Sequence, residues 1–228
     1  MIIPHIAKTV KTRANQPNNP SPQKDQSMTK ITLPGLPGEL LWTHPPLAWQ
    51  MAEGALSATT GPVTDLFTPP GGDAPINNSP RLLAQVAGDF LLSARVTVEF
   101  RAKFDAGVLI LYAGPDLWAK LCFEFSPLDE PTVVSVVTRG LSDDCNSVVM
   151  PSNQVFLRVA RMGNTFGFHY SVDGAYWHMV RFFSLGELGE AGIGVGISVQ
   201  SPVGEGCSAV FDRMAFVRDT LADMRSGA

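Results

Sequence analysis

The stretch "WAKLCFEF", residues 118 to 125, sets several chemically capable side chains on one strand. Alternation puts Trp118, Lys120, Cys122 and Glu124 on one face, and Ala119, Leu121, Phe123 and Phe125 on the other. The second face is wholly apolar and belongs in a core, because a one-residue slip would bury Lys120 and Glu124 instead. Two kinds of chemistry suit the polar face. A retaining glycosidase needs two carboxyl groups roughly 5–5.5 Å apart, and this strand supplies only Glu124, with Lys120 in place of a second acid. A ligand groove needs an aromatic surface for a ring and a few polar groups to orient it, which Trp118, Lys120 and Glu124 provide. A plainer arrangement is a salt-bridged surface with Lys120 and Glu124 satisfied by neighbours such as Arg158.

Two more strands show the same mixed character. In "VFLRVAR" Arg158 shares a face with Phe156 and Ala160, and in "TFGFHYS" His169 shares one with Gly167 and Ser171. If these faces line one curved sheet, the candidate ligand-binding set is Trp118, Lys120, Glu124, Arg158 and His169. No catalytic residue, metal ligand or cofactor site is assigned. The four histidines, His5, His44, His169 and His178, share no motif with a Ser or Cys nucleophile, and G-x-S-x-G is missing. "SDD", residues 142 to 144, offers hard oxygen ligands in an expected loop, but lacks the spacing of a calcium loop. "SVDGAYW", residues 171 to 177, contains S-x-D-G-x-x-W. Asp173-Gly174 between two apolar strands is a two-residue hairpin signal, with the Ser171 hydroxyl bonding turn amides and the Trp177 indole covering the turn. That motif is a turn and not a site.

These residues must be carried by strands. From residue 31 onward short apolar runs alternate with Gly, Pro, Asn and Asp clusters, the spacing of an all-β sandwich. Strands are expected at 39–42, 55–58, 89–100, 106–112, 118–125, 133–138, 155–161, 165–171, 176–183, 191–200 and 207–217. The 21 Gly and 18 Pro suit turns, and only "RDTLADMR" has room for a short final turn. Residues 1–30 read as a flexible N-terminal tail, too polar to offset their ordering entropy, with Met28 as an alternative start. One domain spans 31–218, and 219–228 form a C-terminal tail.

Charge narrows the partners. The chain holds 17 Lys/Arg against 21 Asp/Glu, and the first 30 residues carry five basic groups and one acidic. The remaining body, with 12 basic and 20 acidic groups, repels phosphate backbones, so no nucleic-acid partner is expected. No window approaches eighteen apolar residues, so no membrane-spanning helix is expected either. Cys122, Cys145 and Cys207 form no C-x-x-C or zinc pattern, which fits reduced thiols in a cytoplasmic protein.

Taken in order, "WTHPPLAW" (42–49), "TDLF" (64–67), "NNSPRLLAQVAGDF" (77–90) and "AGVLILYAGPDLWAKLCFEFS" (106–126) carry a family resemblance. "VSVVTRGLSDD" (134–144), "LRVARMGNTFGFHYSVDGAYWHMVRFF" (157–183) and "GIGVGISVQSPVGEG" (192–206) continue it. The chain resembles the DUF1349 group, whose fungal members are called regulators of enolase. The resemblance implies a concanavalin A-like jelly-roll sandwich of two antiparallel sheets. It also implies a cytoplasmic regulatory role connected with glycolysis, hence a glycolytic enzyme as partner. The function expected is a non-enzymatic binding protein that recognises a protein partner or a small carbohydrate or other small-molecule ligand through its concave sheet. The alternative is a carbohydrate-active enzyme, a glycoside hydrolase or lyase, on the same fold.

Overall fold

The computed structural model describes residues 31–189 and 192–228; the expected flexible tail of residues 1–30, with Met28, lies outside them. Every regular element among the described residues is a strand, and no helix there is long and apolar enough to cross a membrane. The chain begins with β1 (Leu41–His44), β2 (Ala48–Ala52), β3 (Ala55–Thr59), β4 (Leu66–Phe67) and β5 (Ile76–Asn77). It continues through β6 (Arg81–Val86), β7 (Phe90–Glu99), β8 (Ala106–Gly114), β9 (Leu117–Phe125) and β10 (Pro131–Arg139). Then follow β11 (Leu141–Val149), β12 (Gln154–Met162), β13 (Thr165–Ser171), β14 (His178–Ser184), β15 (Ile193–Gln200) and β16 (Ser208–Val217).

The strands build two seven-stranded antiparallel sheets, β1-β6-β15-β8-β9-β10-β11 and β14-β13-β12-β7-β16-β3-β2, plus the small β4-β5 hairpin. The core lies between them because each long strand turns one apolar row inward. Leu121 and Phe123 of β9 and Leu109 of β8 come from the first sheet, and Val96, Leu157, Phe168 and Phe211 from the second, all fully buried. The glycines of β15 allow close packing: a Cβ on Gly196 would fall 1.9 Å from the Leu82 carbonyl oxygen of β6.

The eleven expected strands are present, with ends shifted by a few residues. Five strands, β2, β4, β5, β6 and β11, were not expected, and each hides its period. In β6, "RLLAQV", every residue but Gln85 is buried, so strand alternation is nearly lost. "SDD" is no loop: Ser142, Asp143 and Asp144 belong to β11, an edge strand whose polar face is solvated. Asp143 pairs with Arg181 of β14 at 3.0 Å.

The C-terminal residues are a strap more than a tail. Leu221 and Met224 are buried against Ala160, Leu91 and Phe182 on the outer face of the second sheet. A turn over residues 224–227 closes the strap.

Candidate functional site

On the outer face of the first sheet, β9 presents the row its alternation predicts, with Lys120, Cys122 and Glu124 directed away from the core. The β4-β5 hairpin folds over this row. Leu66 is buried in a cluster with Leu83, Ala106, Val108, Ile110 and Trp118, so the hairpin is anchored by hydrophobic contact. Beside it opens a cleft of about 380 Å³, within the usual range for small-ligand sites. Phe67, Ile76, Phe104, Val134 and Val136 give it apolar walls, and Lys120, Glu124, Asp144, Asn146 and Gln200 are its polar points.

The register explains how β10 and β11 contribute. Val136 stands opposite Lys120 on one side and Asp144 on the other. Val134 likewise joins Cys122 to Asn146. The two residues of each row point the same way across neighbouring strands, which brings Asp144 and Asn146 to the cleft wall. Phe104 enters from the β7–β8 loop at φ 68°, a left-handed conformation costing an aromatic residue roughly 1–3 kcal/mol.

Lys120 is almost wholly buried, and its charge is matched inside the protein. Its Nζ donates to Asp65 Oδ1 at 3.2 Å and to Gln200 Oε1 at 2.9 Å. Burial pushes the ammonium pKa down, but Asp65 above all, with Glu124, outweighs burial and holds it above the ordinary value. Asp65 Oδ1 also accepts from the Leu66 amide at 2.7 Å. Glu124 is the opposite case. Burial dominates, the field of Lys120 offsets it only in part, and its carboxyl pKa is pushed up to about 8. Among the described residues no hydrogen bond reaches that carboxyl. At neutral pH it is a protonated acid with a donor and an acceptor to offer.

The five residues proposed from sequence do not form one site. Lys120 and Glu124 line the cleft, while Trp118 lies on their side of β9 but is fully buried beneath the hairpin. Its indole Nε1 donates to the Pro115 carbonyl at 3.1 Å, and Lys120 Nζ lies 5.5 Å from its ring centre. It supports the lysine and leaves no face for a sugar. Arg158 and His169 stand opposite one another on β12 and β13, in the other sheet. Arg158 therefore does not satisfy Glu124; the core lies between them.

Arg158 and His169 instead hold the C-terminal strap. Arg158 Nη2 donates to the Gly227 carbonyl at 2.6 Å, and its guanidinium lies 4.3 Å from the Trp177 ring centre. His169 Nε2 donates to the Met224 carbonyl at 2.8 Å. Burial, helped by the Arg158 charge, lowers the His169 pKa to about 4. A lowered pKa means that folding favours the neutral ring, so this stability is present above about pH 6.5 and is lost as pH falls through 4. We expect roughly 3–4 kcal/mol to disappear over that window, at 1.36 kcal/mol per pKa unit. Protection factors at residues 221–227, which correct for the pH dependence of intrinsic exchange, should fall on acidification in the wild type and not in His169→Gln.

The "SVDGAYW" segment is a turn, as expected, but a longer one: six residues, 172–177, separate β13 from β14. Ser171 Oγ accepts from the Gly174 amide at 2.9 Å, and Asp173 Oδ1 accepts from the Ala175 and Tyr176 amides. Those bonds hold the Asp173 carboxyl down to about 2. Gly174 has φ 80°, and a Cβ there would meet the Phe156 ring at 2.9 Å. Trp177 turns away from the turn and stacks on Arg158.

Sequence reasoning missed Asp65, Gln200, Asn146, Phe67 and Phe104, and read Asp144 only as part of a loop. Asp65 and Gln200 meet Lys120 across 55 and 80 residues of chain, and no local pattern encodes that meeting. The polar alternation Ser142, Asp144, Asn146 was the one available signal. Among the described residues no group of three or more His, Cys, Asp or Glu could hold a metal ion.

Comparison with curated protein sequences gives no match. Among solved structures the chain is similar to a functionally unknown protein from Saccharomyces cerevisiae, with TM-score 0.74 and 19% identity over 80% of this chain and 97% of that one. It is also similar to the GH43 BlXynB protein from Bacillus licheniformis, with TM-score 0.62 and 18% identity over 76% of this chain but 35% of the other. The carbohydrate binding module CBM66 from Bacillus subtilis aligns with TM-score 0.50 and 11% identity, over 77% and 94% of the two chains. Identities this low establish the jelly-roll sandwich and nothing finer. Residues 42–218 match the family model described as "Protein of unknown function (DUF1349)", a span that includes β9, the covering hairpin and both sheets, and the chain belongs to the DUF1349 family.

Proposed function

We propose that the cleft beside the β4-β5 hairpin binds a small uncharged carbohydrate ring and performs no chemistry on it. The observation that carries this reading is Glu124: a carboxyl kept protonated, facing an apolar-walled cleft, with no hydrogen bond from the described residues. A sugar hydroxyl satisfies both halves of such a group. The apolar walls suit the C–H face of a sugar ring, and Asn146 and Asp144 add orientation. Lys120 is consumed by Asp65, so this cleft offers no spare cation to an acidic ligand. Proteins similar in fold include a carbohydrate binding module and a xylan β-1,4-xylosidase, which agrees with a sugar ligand. The enolase-regulating role rests on family resemblance alone.

A second reading is favoured by the same carboxyl, since a glycosidase acid is also held protonated by burial. Calorimetry with mono- and disaccharides, run beside hydrolysis of aryl glycosides, separates the two. Gln mimics a protonated acid, so Glu124→Gln should hold its ligand within a few-fold of wild type. Glu124→Leu should bind about tenfold more weakly, the loss of one or two buried hydrogen bonds. Wild-type turnover that vanishes in Glu124→Gln sinks the binding-only reading, and no sugar binding at all sinks the site.

A further inference from the structure

On the far side of the hairpin the same sheet face opens into a second cleft of about 520 Å³, lined by Thr43, His44, Arg81, Leu83, Gln85 and Tyr112. We propose that it is a binding site for an oxyanion, the carboxylate or phosphate group of a small molecule. This goes beyond the carbohydrate reading of the first cleft and does not depend on it.

Arg81 of β6 is 1% exposed and permanently charged. Its Nη1 donates to Asn77 Oδ1 at 2.7 Å and its Nη2 to His44 Nδ1 at 2.7 Å, both neutral acceptors. Its Nε has no partner, and its guanidinium lies 5.1 Å from the Tyr112 ring centre. No carboxylate of the described residues pairs with it. A buried guanidinium facing only neutral groups is a charge without a counterion, an arrangement proteins avoid unless something supplies the anion. Lys120, equally buried in the first cleft, shows the contrast, since its counterion Asp65 is built in.

His44 carries that charge to the surface. Arginine can only donate, so Nδ1 of His44 must accept and its proton sits on Nε2. His44 is exposed, so this N–H can donate to a ligand oxygen above the guanidinium, with the Tyr112 hydroxyl on the cleft wall as a further donor. Glu39 also lines this cleft. Asn77, which holds Arg81, belongs to β5, and its neighbour Ile76 lines the first cleft. One hairpin therefore borders both sites.

The test is calorimetry at constant ionic strength with inorganic phosphate, glucuronate and, as the neutral control, glucose. Phosphate, glucuronate or both should bind wild type. Arg81→Met should weaken that binding by roughly 10- to 100-fold, because it removes the buried charge behind the His44 donor and the bond that fixes the His44 tautomer. His44→Ala, at an exposed position, should weaken it several-fold and remains decisive if Arg81→Met fails to fold. Glu124→Leu should leave anion binding unchanged, and Arg81→Met should leave neutral-sugar binding unchanged, so failure at one cleft is distinguishable from failure at the other. Anion binding that survives in both Arg81→Met and His44→Ala overturns the proposal. So does the absence of binding by both anions at millimolar concentration.

Discussion

Glu124→Gln should be more stable than wild type above pH 8, by roughly 3–5 kcal/mol at 1.36 kcal/mol per pKa unit. The carboxyl rises from an ordinary 4.5 to about 8 on folding because burial disfavours its charge. Between those values the folded chain holds a proton that the unfolded chain has released, so stability is highest below about pH 4.5 and declines until pH passes 8. Glutamine has no proton to lose. The two proteins should therefore match near pH 4.5 and diverge steadily upward. Urea denaturation at half-unit intervals from pH 4 to 9 measures this difference directly. Parallel curves would mean that Glu124 ionises normally and that the cleft is wetter than its walls imply. Ligand binding through the protonated acid should weaken over the same alkaline range.

Asp65→Asn should cost about 3 kcal/mol, the low end of the penalty for stranding one member of a buried ion pair. Lys120 would keep Gln200 as an acceptor, and Glu124, released from the field of Asp65, would ionise and restore part of the balance. The hairpin would also lose a tether, because the Asp65 carboxylate accepts from Leu66 at the start of β4. Adding Lys120→Met should recover most of the loss, since it removes the stranded charge and leaves an apolar chain against Trp118. A double-mutant cycle by urea unfolding gives the coupling. Additive losses would show that the pair is not a unit.

How much of this could be read from sequence depended on where each residue's partners came from. Glu124 and Lys120 were placed correctly because their own strand alternates, and Leu121 and Phe123 fix its register. Trp118 was on the right side yet unavailable, since the hairpin that buries it begins some fifty residues earlier. Arg158 and His169 were equally well placed on their own strands. Which sheet those strands join is a matter of pairing, and alternation is silent about it. Arg81 escaped notice because "RLLAQV" is buried at every position but Gln85, and a strand covered on most of both faces has little polar period to betray it.

The three thiols give the experimenter a handle. Cys122 and Cys207 are buried, and burial raises both pKa values, that of Cys207 to about 12, whereas Cys145 is exposed on β11. Thiol reagents need an accessible thiolate, so a maleimide fluorophore should modify the native chain at one position without any cysteine being engineered in or out. That position stands between Asp144 and Asn146, two residues of the first cleft wall. The chain thus carries its own attachment point for a dye on the edge strand that supplies one wall of that cleft, with the thiol on the strand's other face.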